Sequence, residues 1–351
     1  MTYKERNFPY VDFKDRLAEC FEESLRSEGI GHLSKELIDL HLDDRMQAMP
    51  DMASSVQQEM ILELNNGEQF SDILSKIKLE DASTKEGMFR LLVRTRLNSS
   101  GINNVSRGNV DGGKTRSPRI LRFIETLDLG HCYSPEELVN LWLEYAEDAN
   151  STVMAGSQYE ERDIAALRLL RKALNYSSAD ESIAQRLSAP NLNRIYNSDK
   201  KIRGFFGWVA IVASVFSGLR FLQRSDWDVY TRATSNQRMS YVEVDHVTRT
   251  VEENVVGFGY ALAGSYLADM GDTNFVKDDT HVRAFVNSVA PELRKPDGRV
   301  NYVISQSSRW GVSPRALDKL LYLAGSGHLP LLGIKIKDAD RMKKLMLEVL
   351  R

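Results

Sequence analysis

The stretch Val255–Val289, VVGFGYALAGSYLADMGDTNFVKDDTHVRAFVNSV, carries the densest pattern in the chain. Gly257-Phe258-Gly259 spells a G-x-G turn between two helical patterns, the second running through Leu262, Tyr266, Leu267 and Met270 to Gly271. A turn of that kind exposes successive backbone amides where a side chain would otherwise keep a phosphate away. The same spelling also occurs at plain helix corners. Beyond a short loop come Lys277-Asp278-Asp279-Thr280-His281, and then Val282, Phe285, Val286 and Val289 at helical spacing. Asp279 is therefore expected at the mouth of a helix with an apolar stripe. Either Asp278 or Asp279 also suits a purely structural role there, as the N-cap.

Outward from this stretch the chain reads as helical nearly throughout, which predicts an all-α fold. Ser134, Pro135 and Glu137 form a capping box with proline at the first helical position, ahead of Leu138, Leu141, Trp142 and Tyr145. Ser313 and Pro314 repeat the device before Leu317, Leu320, Leu321 and Ala324, and Gly325 is expected to close that helix. Met239 to Val247 alternates weakly but is assigned to helix. Phe205 to Leu219 is apolar yet shorter than the roughly 20 residues a bilayer requires, so it is expected as a central core helix. Asn98–Ser117, dense in Asn, Ser and Gly, marks a long loop. It contains Gly108, Gly113, Lys114 and Thr115 at the spacing of a phosphate-binding loop, without the buried strand that such a loop follows. A linker or a DNA-contacting loop is the preferred reading.

Composition limits the function. With 42% hydrophobic and 27% charged residues, the 351-residue chain has the balance of a folded globular protein. Cys20 and Cys132 are its two cysteines, with no CxxC spacing, so neither a disulfide framework nor a tetrathiolate metal site can be assembled. A reducing cytoplasm is expected, with no membrane segment. The net charge of −3 argues against bulk coating of nucleic acid, but its distribution is uneven. From His281 to Arg351 there are 13 Lys and Arg against 6 Asp and Glu, which makes that end the natural dock for a polyanion. A charged solvated face is the plainer explanation.

Together, the G-x-G turn and the Asp-Thr-His segment resemble the helix-hairpin-helix-Gly/Pro-Asp superfamily of DNA glycosylases. In that family an L-P-G-x-G hairpin is followed, after one helix, by a catalytic aspartate commonly set in a V-D-T-H-x segment. The resemblance is close from Val255 to Val289. It implies a helical glycosylase-like module over 118–351, a loop or linker at 98–117, and an N-terminal helical extension at 1–97 that the motifs do not cover.

By the resemblance, Asp279 is the catalytic carboxylate. Gly257, Phe258 and Gly259 are the phosphate clamp, and Arg283, Arg309 and Arg315 are further DNA contacts. Tyr260 and Trp208 are candidates for the base pocket, although aromatics at helical spacing more often belong to a core, and His281 takes a supporting role. Two departures from the family pattern matter. The hairpin proline is replaced by Val256, and the lysine that bifunctional members use to form a Schiff base is replaced by Ala261. Lyase chemistry through that position is thereby excluded. No cofactor, metal, iron-sulfur cluster or obligate protein partner is implied.

The chemistry asked of one aspartate is modest. Breaking an N-glycosidic bond develops positive charge on the sugar, which a carboxylate stabilises directly or by activating water. The expected activity is monofunctional excision of a modified base from duplex DNA, with phage hypermodified bases and antiviral defence as one setting. The alternatives are a base-modifying transferase on the same fold and a DNA-binding protein without catalysis.

Overall fold

The computed structural model describes residues 9–42, 54–75, 81–97, 119–151, 159, 161–175, 205–224, 238–330, 332–336 and 339–350. The phosphate-loop lookalike Gly108–Thr115 lies outside the described residues. The described chain is all-α apart from one two-stranded ribbon. In chain order the helices are α1 Pro9–Arg26, α2 Ser34–Leu42, α3 Ser54–Asn65, α4 Phe70–Ser75, α5 Lys85–Leu97, α6 Pro135–Ser151 and α7 Glu161–Asn175. They continue with α8 Phe205–Leu222, α9 Tyr241–Asn254, α10 Tyr260–Asp269, α11 Thr280–Val289, α12 Pro296–Trp310, α13 Pro314–Ser326 and α14 Ala339–Leu350. The ribbon pairs β1 (His328–Leu329) antiparallel with β2 (Ile334–Lys335).

Several helix ends follow from short-range chemistry. Before α6 the capping box is reciprocal, with the Ser134 amide donating to Glu137 Oε2 at 2.7 Å and the Glu137 amide to Ser134 Oγ at 3.1 Å. At α13 the Ser313 hydroxyl accepts the Ala316 amide at 3.0 Å. That helix runs past the expected Gly325 and ends at Gly327, whose φ of 59° supplies the left-handed cap. Gly325 instead sits inside the helix, where the absence of a Cβ admits the His281 ring. Met239–Val247, ambiguous by alternation, lies at the start of α9 behind a second box made by Ser240 and Glu243.

The chain divides into two compact units that do not follow chain order. One contains Met1–Leu79, Ala233–Arg249 and Ala263–Arg351. In it α11 packs on α12, α13 and α14, and α1 and α2 pack on each other and on α14 and α13 respectively. Phe13, Leu17, Phe21, Leu37, Val282, Leu317 and Met346 are buried there, and Phe13 meets Trp310 at 5.8 Å between ring centroids. The other unit contains Glu80–Arg232 and Thr250–Leu262. Its centre is α8, packed on α5, α6 and α7. Residues Ile211 to Phe216 of α8 are buried, as expected of a core helix, and no helix among the described residues is long and apolar enough to cross a membrane.

Candidate catalytic carboxylate and hairpin

The G-x-G segment connects α9 to α10. Gly257 has φ of 80°, and a Cβ there would approach Ser214 Oγ to 3.1 Å and Arg96 Nε to 3.3 Å, so the turn requires glycine. Two serines of α8 hold it in place. Ser214 Oγ donates to the Val256 carbonyl at 2.7 Å, and the Val256 amide donates to Ser217 Oγ at 2.9 Å. Phe258 is buried and anchors the turn from inside, whereas Gly257 and Gly259 are exposed. The Phe258 amide is satisfied by the Val255 carbonyl, and the Tyr260 amide by Glu252 Oε1 at 3.1 Å. Among the described residues, the amides of Gly257 and Gly259 have no hydrogen-bond partner.

The aspartate segment is tied down atom by atom. Asp279 is the N-cap of α11, its Oδ1 accepting the amides of His281 at 2.8 Å and Val282 at 3.0 Å. Its Oδ2 receives no hydrogen bond from the described residues, and the side chain is partly exposed. Asp278 has a different task. It is wholly buried and takes two parallel hydrogen bonds from Arg299, Nε to Oδ1 and Nη2 to Oδ2, both 2.7 Å. Those bonds push the Arg299 guanidinium further toward its charged form. Arg283 adds Nη2 to the Asp278 carbonyl at 3.2 Å. The Asp279 amide donates to the Lys277 carbonyl at 2.7 Å, closing a tight turn around Asp278.

A further carboxyl faces this turn. Asp318 of α13 accepts the Lys277 amide on Oδ2 at 3.1 Å. Burial, and then the charge of Asp279, push its carboxyl up to about 8. Sequence reading passed over it as one charge in a basic region. The available signal was its place on α13, where Pro314, Arg315 and Leu321, at helical spacing from it, are all buried.

The remaining candidates separate by exposure. Arg283 is half exposed and Arg309 is exposed, bonded to Gln306 within its own helix at 3.2 Å. Arg315 is 2% exposed, with Asp269 3.8 Å away, so it serves the interior instead of presenting to a phosphate. Tyr260 is buried, as is Trp208, whose indole donates to Asp163 Oδ1 at 3.2 Å and meets Trp142 edge-on at 5.3 Å. Both aromatics are thus core residues of their unit. The His281 ring meets Tyr322 edge-on at 5.3 Å, and Tyr322 stacks on His41 at 6.4 Å. Burial, aided by Lys319, lowers His41 to about 3, so it is neutral. Among the described residues no group of three or more His, Cys, Asp and Glu is placed to hold a metal ion. Set against protein-family models, curated proteins and solved structures, the chain matches none.

Proposed function

We propose that this chain is a monofunctional DNA glycosylase that hydrolyses the N-glycosidic bond of a modified base and leaves an intact abasic site. The observation that carries the reading is the division of labour between two adjacent aspartates. Asp278 is consumed by a buried ion pair, whereas Asp279 keeps one carboxylate oxygen held by two amides and the other open to a reacting group. A fixed anion of that kind is what a developing sugar cation needs, because its position costs nothing to organise at the moment of reaction. Exposed Gly257 and Gly259, with unengaged amides, support a separate role for the hairpin in holding a phosphate. Arg309 is exposed as a phosphate contact at the surface, where it would fix position without reading bases, whereas half-exposed Arg283 is already engaged with Asp278.

The test uses genomic DNA from phages of differing base chemistry, with abasic sites and free base both quantified after incubation. Wild type is expected to generate abasic sites on at least one modified DNA. Asp279→Asn preserves the cap and the shape but removes the charge, so it should stay folded, bind DNA and lose base release by about a hundredfold or more. Near wild-type release by Asp279→Asn would overturn the mechanism. A transferred group on the base without abasic sites would move the assignment to the transferase alternative.

A further inference from the structure

Among the described residues Asp318 has no ion-pair partner, yet its helix presents it to the turn on which Asp279 depends. The contact is through backbone. Asp318 Oδ2 holds the Lys277 amide, and the Lys277 carbonyl in turn accepts the Asp279 amide. The peptide at Lys277 therefore links the two carboxyls, one on α13 and one at the mouth of α11, and α11 packs directly on α13. We propose that Asp318 is the positioning residue for Asp279: from α13 it clamps, through the Lys277 peptide, the turn that presents the Asp279 carboxylate.

The charges acting on Asp318 are Asp279 and Lys277 from the turn ahead of α11, and Arg315 from its own helix. Desolvation outweighs the two cations and keeps the proton on Asp318 at neutral pH. Once that proton leaves, two like charges face each other across the turn. The repulsion acts on Asp279, whose carboxylate must stay on its two amides to meet the substrate, and displacement on the scale of 1 Å costs a reaction about a hundredfold. The added charge also opposes an incoming polyanion. A stabilising role alone would move the melting temperature with pH but not the rate per folded molecule.

This inference rests on the glycosylase reading for its consequence but not for its physical basis, so two measurements separate them. In the free protein, carbon-13 NMR of the aspartate carboxyls should find Asp318 titrating near pH 8, and nearer the ordinary carboxylate range in Asp279→Asn. Titration of Asp318 in the ordinary range in wild type would overturn the inference whatever the chain does to DNA. In single-turnover base release, wild type should lose about tenfold between about pH 7 and about pH 9, the change in the neutral fraction of a group titrating near 8. Asp318→Asn, whose amide oxygen can still accept the Lys277 N–H, should keep the neutral rate within about threefold and lack the alkaline fall. Asp318→Ala, without the clamp, should lose about tenfold or more at every pH. Identical pH profiles in wild type and Asp318→Asn would sink the positioning role while leaving the glycosylase reading intact. Absence of base release at any pH would sink both the glycosylase reading and the role assigned to Asp318 in it, even with the titration as expected.

Discussion

Three aspartates within one small region behave differently because their surroundings differ. Asp278 sits in a bidentate pair with Arg299, and breaking such a buried pair strands a charge at a cost of about 3–5 kcal/mol. Asp278→Asn should therefore lower the melting temperature markedly while leaving the rate per folded molecule largely intact. Asp318→Asn should instead raise the melting temperature while keeping the rate at neutral pH. The carboxyl of Asp318 holds its proton in the folded state up to about pH 8 but releases it near 4 when unfolded. Stability from this group is thus complete below about pH 4 and is lost progressively as pH rises to about 8. An uncharged asparagine avoids that loss, so the variant should gain in melting temperature, and more at pH 8 than at pH 5. Thermal denaturation across that range checks both expectations; a destabilised Asp318→Asn at pH 8 would contradict the assigned protonation.

At the level of elements, the two hairpin glycines answer to different constraints, which makes them separable by mutation. Gly257 has φ of 80° and tight neighbours, so Gly257→Ala should destabilise the turn by about 1–2 kcal/mol before any question of DNA arises. Gly259 is not in the left-handed region, and a Cβ there meets nothing within 4 Å. Gly259→Leu should accordingly fold as wild type yet weaken duplex binding by about tenfold or more, the worth of one charge-assisted amide-phosphate hydrogen bond. Circular dichroism and a binding titration at fixed salt check the pair. Undiminished binding by Gly259→Leu would reduce the hairpin to a corner between α9 and α10.

For the whole molecule, the helices at the N-terminus are not an appendage. α1 and α2 belong to the unit that carries Asp279 and Asp318, with Phe13, Leu17, Phe21, Leu25, Leu37 and Ile38 at 0% exposed. Burying each such side chain contributes about 1.5–3 kcal/mol, so six of them together are comparable to the whole net stability of a domain. Removing residues 1–42 should consequently abolish cooperative unfolding of that unit, seen as loss of its calorimetric transition. A truncated chain that still melted cooperatively, with the same number of transitions, would show that the Asp279 unit folds without them.

What the sequence by itself determined is local. The capping box at Ser134, the N-cap at Ser313, the apolar stripe behind Asp279 and the obligatory glycine of the 257–259 turn follow from short-range hydrogen bonding and backbone geometry, and the structure places each where the spelling indicates. The helical class follows too, because periodicity acts over a few residues. Tertiary structure decided the rest. It buried Trp208, Tyr260 and Arg315, ended α13 at Gly327 by admitting His281 against Gly325, assigned Asp278 to Arg299 and Asp279 to the helix mouth, and brought Asp318 to the Lys277 amide. Those outcomes depend on which faces meet between residues 21 to 45 apart in the chain, and on the removal of water that turns an ordinary carboxyl into one that keeps its proton. Neither is written in the spacing of neighbouring residues.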